Sequence, residues 1–132
     1  MHSGGCLCGG VRFSIDGELQ PLQLCHCIDC RKAQGGAFVS VLPVSANAFT
    51  LQAGEELLQR FESSPGKERV FCGRCGSPIY SRRTSRPGAF RIRAGLMDQP
   101  LPVRPAFHQF VANKANWWNI DDDLPQFPGA PS

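Results

Sequence analysis

Seven cysteines occur in three tight clusters, and this arrangement restricts what the chain can fold into more than any other feature. Thiols crowded this closely oxidise easily and repel one another once ionised, so they indicate a disulfide framework, a metal site or a catalytic site. The clusters are a C-x-C pair at Cys6 and Cys8, a C-x-C-x-x-C triplet at Cys25, Cys27 and Cys30, and a C-x-x-C pair at Cys72 and Cys75.

A disulfide framework is the first explanation to weigh. An odd number of cysteines does not form a complete set of internal disulfides. Residues i and i+2 of a strand lie about 6.6 Å apart, which is near the upper limit for a disulfide but suits two ligands of one zinc ion. The N-terminus lacks the apolar run of a signal peptide, and no stretch reaches the roughly 18 apolar residues of a membrane span. We therefore expect a cytoplasmic protein without membrane contact, in which cysteine clusters bind metal or act in catalysis.

Glycine and proline divide the chain into short segments. Fourteen glycines and eleven prolines among 132 residues favour an all-β or loop-rich fold over a helix bundle. We predict one domain over residues 1–120, followed by a flexible tail at 121–132 that is rich in aspartate and proline. Alternating apolar residues predict strands at 11–15, 20–24, 37–44, 49–52, 57–62, 68–71, 78–81, 90–95 and 107–111, and a helical turn at 29–34.

The two cysteine pairs predict a closed site with four thiolates. In "VFCGRCGSPIY" a strand delivers Cys72, a turn brings Cys75 alongside, and Gly76 permits a positive φ, as in a zinc knuckle. "CLCGG" also ends in glycines, so its backbone can wrap closely around a metal ion. Together with Cys6 and Cys8, these ligands would hold a structural zinc that joins the first strand to the middle of the chain and stabilises a small core.

The triplet "CHCIDC" at Cys25, Cys27 and Cys30 offers three ligands. Three protein ligands are typical of a catalytic zinc, which keeps one position for water or substrate. Three thiolates and Zn²⁺ sum to a single negative charge, so the metal would be a weaker Lewis acid than one bound by imidazoles. Such a site is better suited to binding and ionising an incoming thiol than to hydrolysis.

Two alternatives concern the neighbours of this triplet. A histidine could close the site as a fourth ligand; His26 would point away from the metal in an extended strand, whereas His108 could fold back. Arg31 and Lys32 follow the triplet directly. They could offset its negative charge and attract an anionic thiol, or they could be solvated surface cations.

The order of the three clusters resembles the glutathione-dependent formaldehyde-activating enzyme family, which includes centromere protein V. The match covers nearly the whole chain, with "GGCLCGGVRFSI", "CHCIDCRKAQGGAF", "RVFCGRCGSPIY", "RIRAGLMD" and "FHQFVANKANWW" in the family's order. The resemblance implies an all-β, tent-like fold of packed antiparallel sheets with little helix and two zinc ions per chain. Carried over by position, it implies a structural zinc at Cys6, Cys8, Cys72 and Cys75, and a catalytic zinc at Cys25, Cys27 and Cys30.

The same resemblance implies an enzyme, a carbon–sulfur lyase. The family reaction joins glutathione, the cosubstrate, to formaldehyde and gives S-(hydroxymethyl)glutathione. We therefore expect small-molecule thiol and aldehyde substrates, with a thiolate sulfur attacking the aldehyde carbon beside the zinc.

A non-catalytic zinc module that binds nucleic acid or protein is the alternative. "SRRTSRPGAFRIR" carries five arginines that could contact phosphates. Arg91 and Arg93, however, alternate with apolar residues as on the solvent-facing side of an ordinary strand, and the net charge is only +3. Nucleic acid is therefore not the expected partner. The aromatic stretch "NWWN" at 116–119 could line a binding site, but packing against the last strand is the preferred interpretation.

Overall fold

The structure, a computed structural model that describes residues 1–131, consists of two β-sheets and one short α-helix. The all-β prediction is therefore confirmed. Helix α1 spans Ile28–Gln34, and no helix among the described residues is long and apolar enough to cross a membrane. The strands are β1 (His2–Gly5), β2 (Arg12–Ile15), β3 (Leu22–Cys25), β4 (Val39–Ser45), β5 (Phe49–Ala53), β6 (Leu58–Ser64), β7 (Lys67–Cys72), β8 (Pro78–Arg83), β9 (Ala89–Arg93) and β10 (Pro105–Gln109).

The two sheets differ in size. The small sheet has the strand order β1-β2-β5, and the large sheet has the order β10-β3-β4-β9-β8-β7-β6. Paired strands run antiparallel except β10, which pairs in parallel with β3. This register places Cys25, at the end of β3, opposite Val39 on β4 and Gln109 on β10.

The two faces of the large sheet carry separate apolar clusters. Alternate residues of a strand point to opposite faces, so Leu42 joins the main core while its neighbour Val41 packs with Cys25 and Cys30 on the other face. The main core lies between the two sheets. Its fully buried members include Val11, Phe13, Ile15, Leu42, Val70, Ile79 and Ile92.

Strand β1 is the element that the sequence pattern does not predict. Its sequence, His-Ser-Gly-Gly, contains no apolar alternation, yet it pairs with β2 along its whole length. A Cβ atom on Gly4 would lie 2.8 Å from the Phe13 ring, so the glycine allows β1 to approach the core closely. Helix α1 follows its prediction, because Cys27 caps its start and Gly35, with φ of 70°, ends it.

The C-terminal segment runs beside β10 as far as the structure describes it. The His108 amide donates to the carbonyl of Pro125 at 2.9 Å, and the Phe127 amide donates to the His108 carbonyl at 2.9 Å. The Phe110 amide donates to Gly129 at 3.0 Å. These hydrogen bonds give the segment a defined position beside β10. The predicted flexibility of residues 121–132 is a statement about motion and stays a prediction. Ser132 lies outside the described residues.

Candidate metal centres and thiol cavity

The first cysteine group joins the two sheets. Cys6 and Cys8 lie in the turn between β1 and β2 of the small sheet, whereas Cys72 ends β7 of the large sheet and Cys75 lies in the turn before β8. All four Sγ atoms lie within 4.8 Å of one another. Two turns that are distant in sequence therefore present their thiols to a single point.

Positive-φ glycines shape both turns. Gly9 has φ of 79° and Gly76 has φ of 82°, so each turn reverses directly after its second cysteine. The Gly76 amide donates to the Cys72 carbonyl at 2.7 Å and closes one turn. The Leu7 amide donates to the Ser77 hydroxyl at 2.9 Å and connects the two turns to each other.

The spacing of the sulfur atoms fits a tetrahedral ion. Sγ of Cys8 lies 3.5 Å from Sγ of Cys6 and 3.8 Å from Sγ of Cys72. Ligands at 2.3 Å from a tetrahedral zinc are about 3.8 Å apart. A hydrogen bond from the Gly10 amide, followed by one from Arg74, lowers the pKa of Cys8 and favours its thiolate. This group therefore fits a closed zinc site.

The second group is built by the end of β3 and the start of α1. Cys25 ends the strand, Cys27 caps the helix and Cys30 lies in its first turn. The three Sγ atoms lie within 4.8 Å of one another, with Cys25 and Cys30 at 3.5 Å and Cys27 and Cys30 at 2.7 Å. A zinc ion would hold the latter pair about 3.8 Å apart, so binding would separate these two sulfurs by about 1 Å.

The protein alone favours one thiolate in this group. Hydrogen bonds from the thiols of Cys25 and Cys27 lower the pKa of Cys30 to about 2, and Arg69, with Nη2 at 3.8 Å from its sulfur, contributes further. Contact with Cys27 and then Cys30 raises the pKa of Cys25 in return. A divalent cation would allow all three to ionise, so the donor set of three soft sulfurs fits zinc.

The two histidines considered as a fourth ligand bond to each other instead. Nε2 of His26 lies 2.8 Å from Nδ1 of His108, and Nε2 of His108 lies 2.9 Å from the Asp122 carboxylate. Neither histidine belongs to the three-thiol group, which has no further Cys, His, Asp or Glu member within residues 1–131. Asp122 lies in the predicted tail, and no motif in the sequence indicates its contact with His108.

A cavity of about 840 Å³ lies on the outer face of the large sheet, and the three thiols form part of its wall. Arg93 also lines it and is only 4% exposed, so the solvent-facing interpretation is wrong for Arg93, whereas Arg91 is half-buried in the cavity wall. Sequence reasoning missed this cationic wall. In the sequence, cations at every second position of neighbouring strands could have indicated it. The cationic wall consists of Lys67, Arg69, Arg83, Arg86, Arg91 and Arg93.

Other residues singled out from the sequence lie elsewhere. Arg31 and Lys32 line a separate pocket of about 390 Å³ beside Trp117. Arg31 donates from Nη1 to the Asn113 carbonyl at 2.9 Å. Trp117 is 64% exposed and does not pack in the core, whereas Trp118, at 41% exposure, contacts Phe38 edge-on with ring centroids 5.8 Å apart.

Comparisons with known proteins agree with this architecture. The family model described as "Glutathione-dependent formaldehyde-activating enzyme" matches residues 1–113. A Halomonas elongata protein that carries this designation provisionally is 33% identical over 130 residues, which cover 92% of this chain and 82% of the relative. An uncharacterised lyase of Schizosaccharomyces pombe is 26% identical over 131 residues, covering 92% of this chain and 93% of the relative.

A solved structure supports the fold independently. The crystal structure of a Rhodobacter sphaeroides protein aligns with a TM-score of 0.64 at 19% sequence identity, over 77% of this chain and 97% of that one. The fold, the two cysteine groups and the match over most of the sequence lead to one conclusion. The chain belongs to the glutathione-dependent formaldehyde-activating enzyme family.

Proposed function

We propose that this protein is a zinc-dependent carbon–sulfur lyase acting on a glutathione adduct, with S-(hydroxymethyl)glutathione formation from glutathione and formaldehyde as its reaction. The observation that carries the proposal is the group of Cys25, Cys27 and Cys30, three thiols with no fourth donor in their group, at the wall of a large cavity. Family membership and a relative named as a lyase support the reaction class. The proposed setting is the cytoplasm, where reducing conditions maintain free thiols.

Each cysteine group has a separate role in the proposal. Cys6, Cys8, Cys72 and Cys75 hold a structural zinc that fixes one sheet to the other. Cys25, Cys27 and Cys30 would hold a second zinc, which would supply the Lewis acidity that favours the thiolate form of an incoming thiol.

The residues around the second group support bond formation between sulfur and carbon. The glutathione sulfur donates an electron pair to the formaldehyde carbon, the carbonyl electron pair moves to oxygen, and that oxygen takes a proton from water. Arg69 lies beside the triplet, with Nη2 at 3.8 Å from the Cys30 sulfur. Its Nη1 atom is buried and has no hydrogen-bond partner among residues 1–131. A fixed positive charge at this position would stabilise the developing oxyanion.

The binding-module alternative loses two of the five arginines that suggested it. Arg93 is buried and Arg91 is half-buried within the cavity, so neither lies on an open surface that a nucleic-acid backbone could follow. No observation in the described residues favours this alternative over the lyase.

The rate of S-(hydroxymethyl)glutathione formation tests the proposal. Zinc-loaded protein should accelerate the reaction of glutathione with formaldehyde above its uncatalysed rate, measured by NMR exchange between free and bound formaldehyde. Cys27→Ser should remove most of this acceleration because it deletes one of three metal ligands. Lys32→Gln on the same helix should keep the wild-type rate, since Lys32 does not line the thiol cavity. Equal rates for wild type and Cys27→Ser would reject the proposed function.

A further inference from the structure

Three neighbouring strands place cations on one face of the large sheet. Lys67 on β7 lies directly opposite Arg83 on β8. In the next row, Arg69 on β7, Ser81 on β8 and Arg91 on β9 lie side by side. Residues that are directly opposite in paired strands share a face, so the register itself builds this cationic wall.

The cationic wall has no carboxylate partners. Within residues 1–131, none of its six cations lies within ion-pair distance of an aspartate or glutamate. Asp29 is the one carboxylate among the described residues that line the cavity. Three thiolates with a divalent ion would contribute only a single negative charge. The cavity would therefore retain an excess of positive charge.

Two buried arginines of the wall each have one donor atom without an acceptor among residues 1–131. Arg69 is 9% exposed and Arg93 is 4% exposed. Within residues 1–131, Nη1 of Arg69 and Nε of Arg93 have no hydrogen-bond partner. The other donors of Arg69 contact the Ser63 hydroxyl and the Cys30 sulfur. Nη1 of Arg93 contacts the Arg91 carbonyl at 3.1 Å and the Ser81 hydroxyl at 3.3 Å. A buried charged donor without an acceptor is unfavourable, so these atoms indicate a site for an anionic ligand.

The cations also disfavour one another's charge. Burial, followed by the charges of Arg91, Arg83 and Arg69, lowers the pKa of Lys67 to about 8. Burial and then the charge of Arg69 lower the pKa of Arg93 to about 10. A bound anion would relieve this repulsion.

The wall runs from a buried cation beside the thiols to exposed cations farther along the strands. Arg69 contacts Cys30, with Nη2 at 3.8 Å from the sulfur. Lys67 and Arg83 lie one row farther along the strands, which is about 7 Å. Arg86 follows in the turn after β8 and is exposed. A ligand whose sulfur reached the triplet would therefore pass buried cations first and outer cations beyond them.

We propose that the cationic wall is the subsite for the terminal carboxylates of the thiol substrate, and that it selects thiols with two carboxylates remote from the sulfur over neutral or cationic thiols. This inference rests on the proposed function for the position of the sulfur. Glutathione satisfies the requirement because both ends of the tripeptide carry a carboxylate. Arg83 and Arg86 are the outer contacts, and their side chains reach a ligand without disturbing the thiols.

Calorimetric binding to the zinc-loaded protein tests the subsite. Glutathione and its diethyl ester share the thiol but differ in both carboxylates. The ester should bind at least about tenfold more weakly, because a charge-assisted hydrogen bond is lost at each end. Arg83→Gln should weaken glutathione binding about fivefold and ester binding less than about twofold. Equal affinities for the two ligands, or equal losses for both in Arg83→Gln, would overturn the inference.

Arg82→Gln is the matched control. Arg82 directly precedes Arg83 on β8 and therefore points to the opposite face, where it pairs with Glu68 at 3.1 Å. It should leave both affinities unchanged, and a loss equal to that of Arg83→Gln would reject the subsite.

A non-reacting ligand separates this inference from the proposed function. S-methylglutathione keeps both carboxylates but has no ionisable thiol. If Arg83→Gln weakens its binding while the protein shows no catalysis, the subsite stands and the lyase proposal falls. If catalysis occurs equally with glutathione and its diethyl ester, the lyase stands and the subsite falls.

Discussion

At the scale of single residues, His26 has the least expected environment. It stands between two cysteines of the triplet, yet its side chain lies in a chain of hydrogen bonds with His108 and Asp122. When both rings are neutral, Nε2 of His108 donates to the Asp122 carboxylate, and Nδ1 of His108 then accepts from Nε2 of His26. Nδ1 of His26 is then a buried acceptor without a partner. The chain of bonds sets the tautomer of both rings.

The first prediction is that His26 stays neutral well below the usual histidine range. Burial, followed by the charges of His108 and Lys114, lowers its pKa from 6.5 to about 4. Nitrogen-detected NMR should show a neutral His26 ring at pH 5.5. An ordinary titration near pH 6.5 would contradict this environment.

The lowered pKa of His26 also makes the folded protein less stable as the pH falls. Between pH 6.5 and about 4 the unfolded chain binds a proton that folded His26 does not bind. The contribution of His26 to the free energy of unfolding is therefore complete above pH 6.5 and decreases by about 2 kcal/mol on acidification to pH 5.

At the scale of secondary-structure elements, the two cysteine groups differ in what they connect. Cys72 ends a strand of the large sheet and meets thiols from the small sheet. Cys27 instead meets two thiols that lie within three residues of it, at the junction of β3 and α1. Loss of the first group should separate distant elements, whereas loss of the second should affect one local junction.

The second prediction contrasts Cys72→Ser with Cys27→Ser. Cys72→Ser should lower the melting temperature by about 10 °C or more, because a zinc site that links distant strands contributes directly to folding. Cys27→Ser should change it by less than about 4 °C. Metal analysis should give two zinc ions per wild-type chain and one per Cys27→Ser chain. Similar melting of both variants would reject the division into structural and functional sites.

The elements also show what sequence reasoning can reach. Cysteine spacing and glycines predict the turn at Cys6 and Cys8 and the turn at Cys72 and Cys75, because these constraints are local. Strand β1 is missed, since its pairing with β2 depends on glycine fitting against Phe13 rather than on apolar alternation. The cationic wall is missed for a related reason. Whether Arg91 and Arg93 face solvent or a cavity depends on strand order, which their own alternation does not reveal.

At the scale of the whole molecule, the large sheet divides two tasks between its faces. One face packs against the small sheet in the main core, and the other carries the thiols and the cationic wall. The four-cysteine group joins the small sheet to the large sheet near the end of β7. Such a platform would hold three thiolates and a row of cations toward one substrate. On this account, a metal ion held by Cys25, Cys27 and Cys30 would bind the sulfur of a substrate thiol.

Thiol coordination to cobalt tests that claim most directly. Cobalt in place of zinc makes each sulfur ligand visible through charge-transfer absorption. Glutathione should raise this absorption in the wild type, because it adds a fourth sulfur to Cys25, Cys27 and Cys30. It should have no such effect in Cys27→Ser, and S-methylglutathione should have little effect on the wild type. An unchanged wild-type spectrum at saturating glutathione, with both groups loaded with cobalt, would contradict the claim.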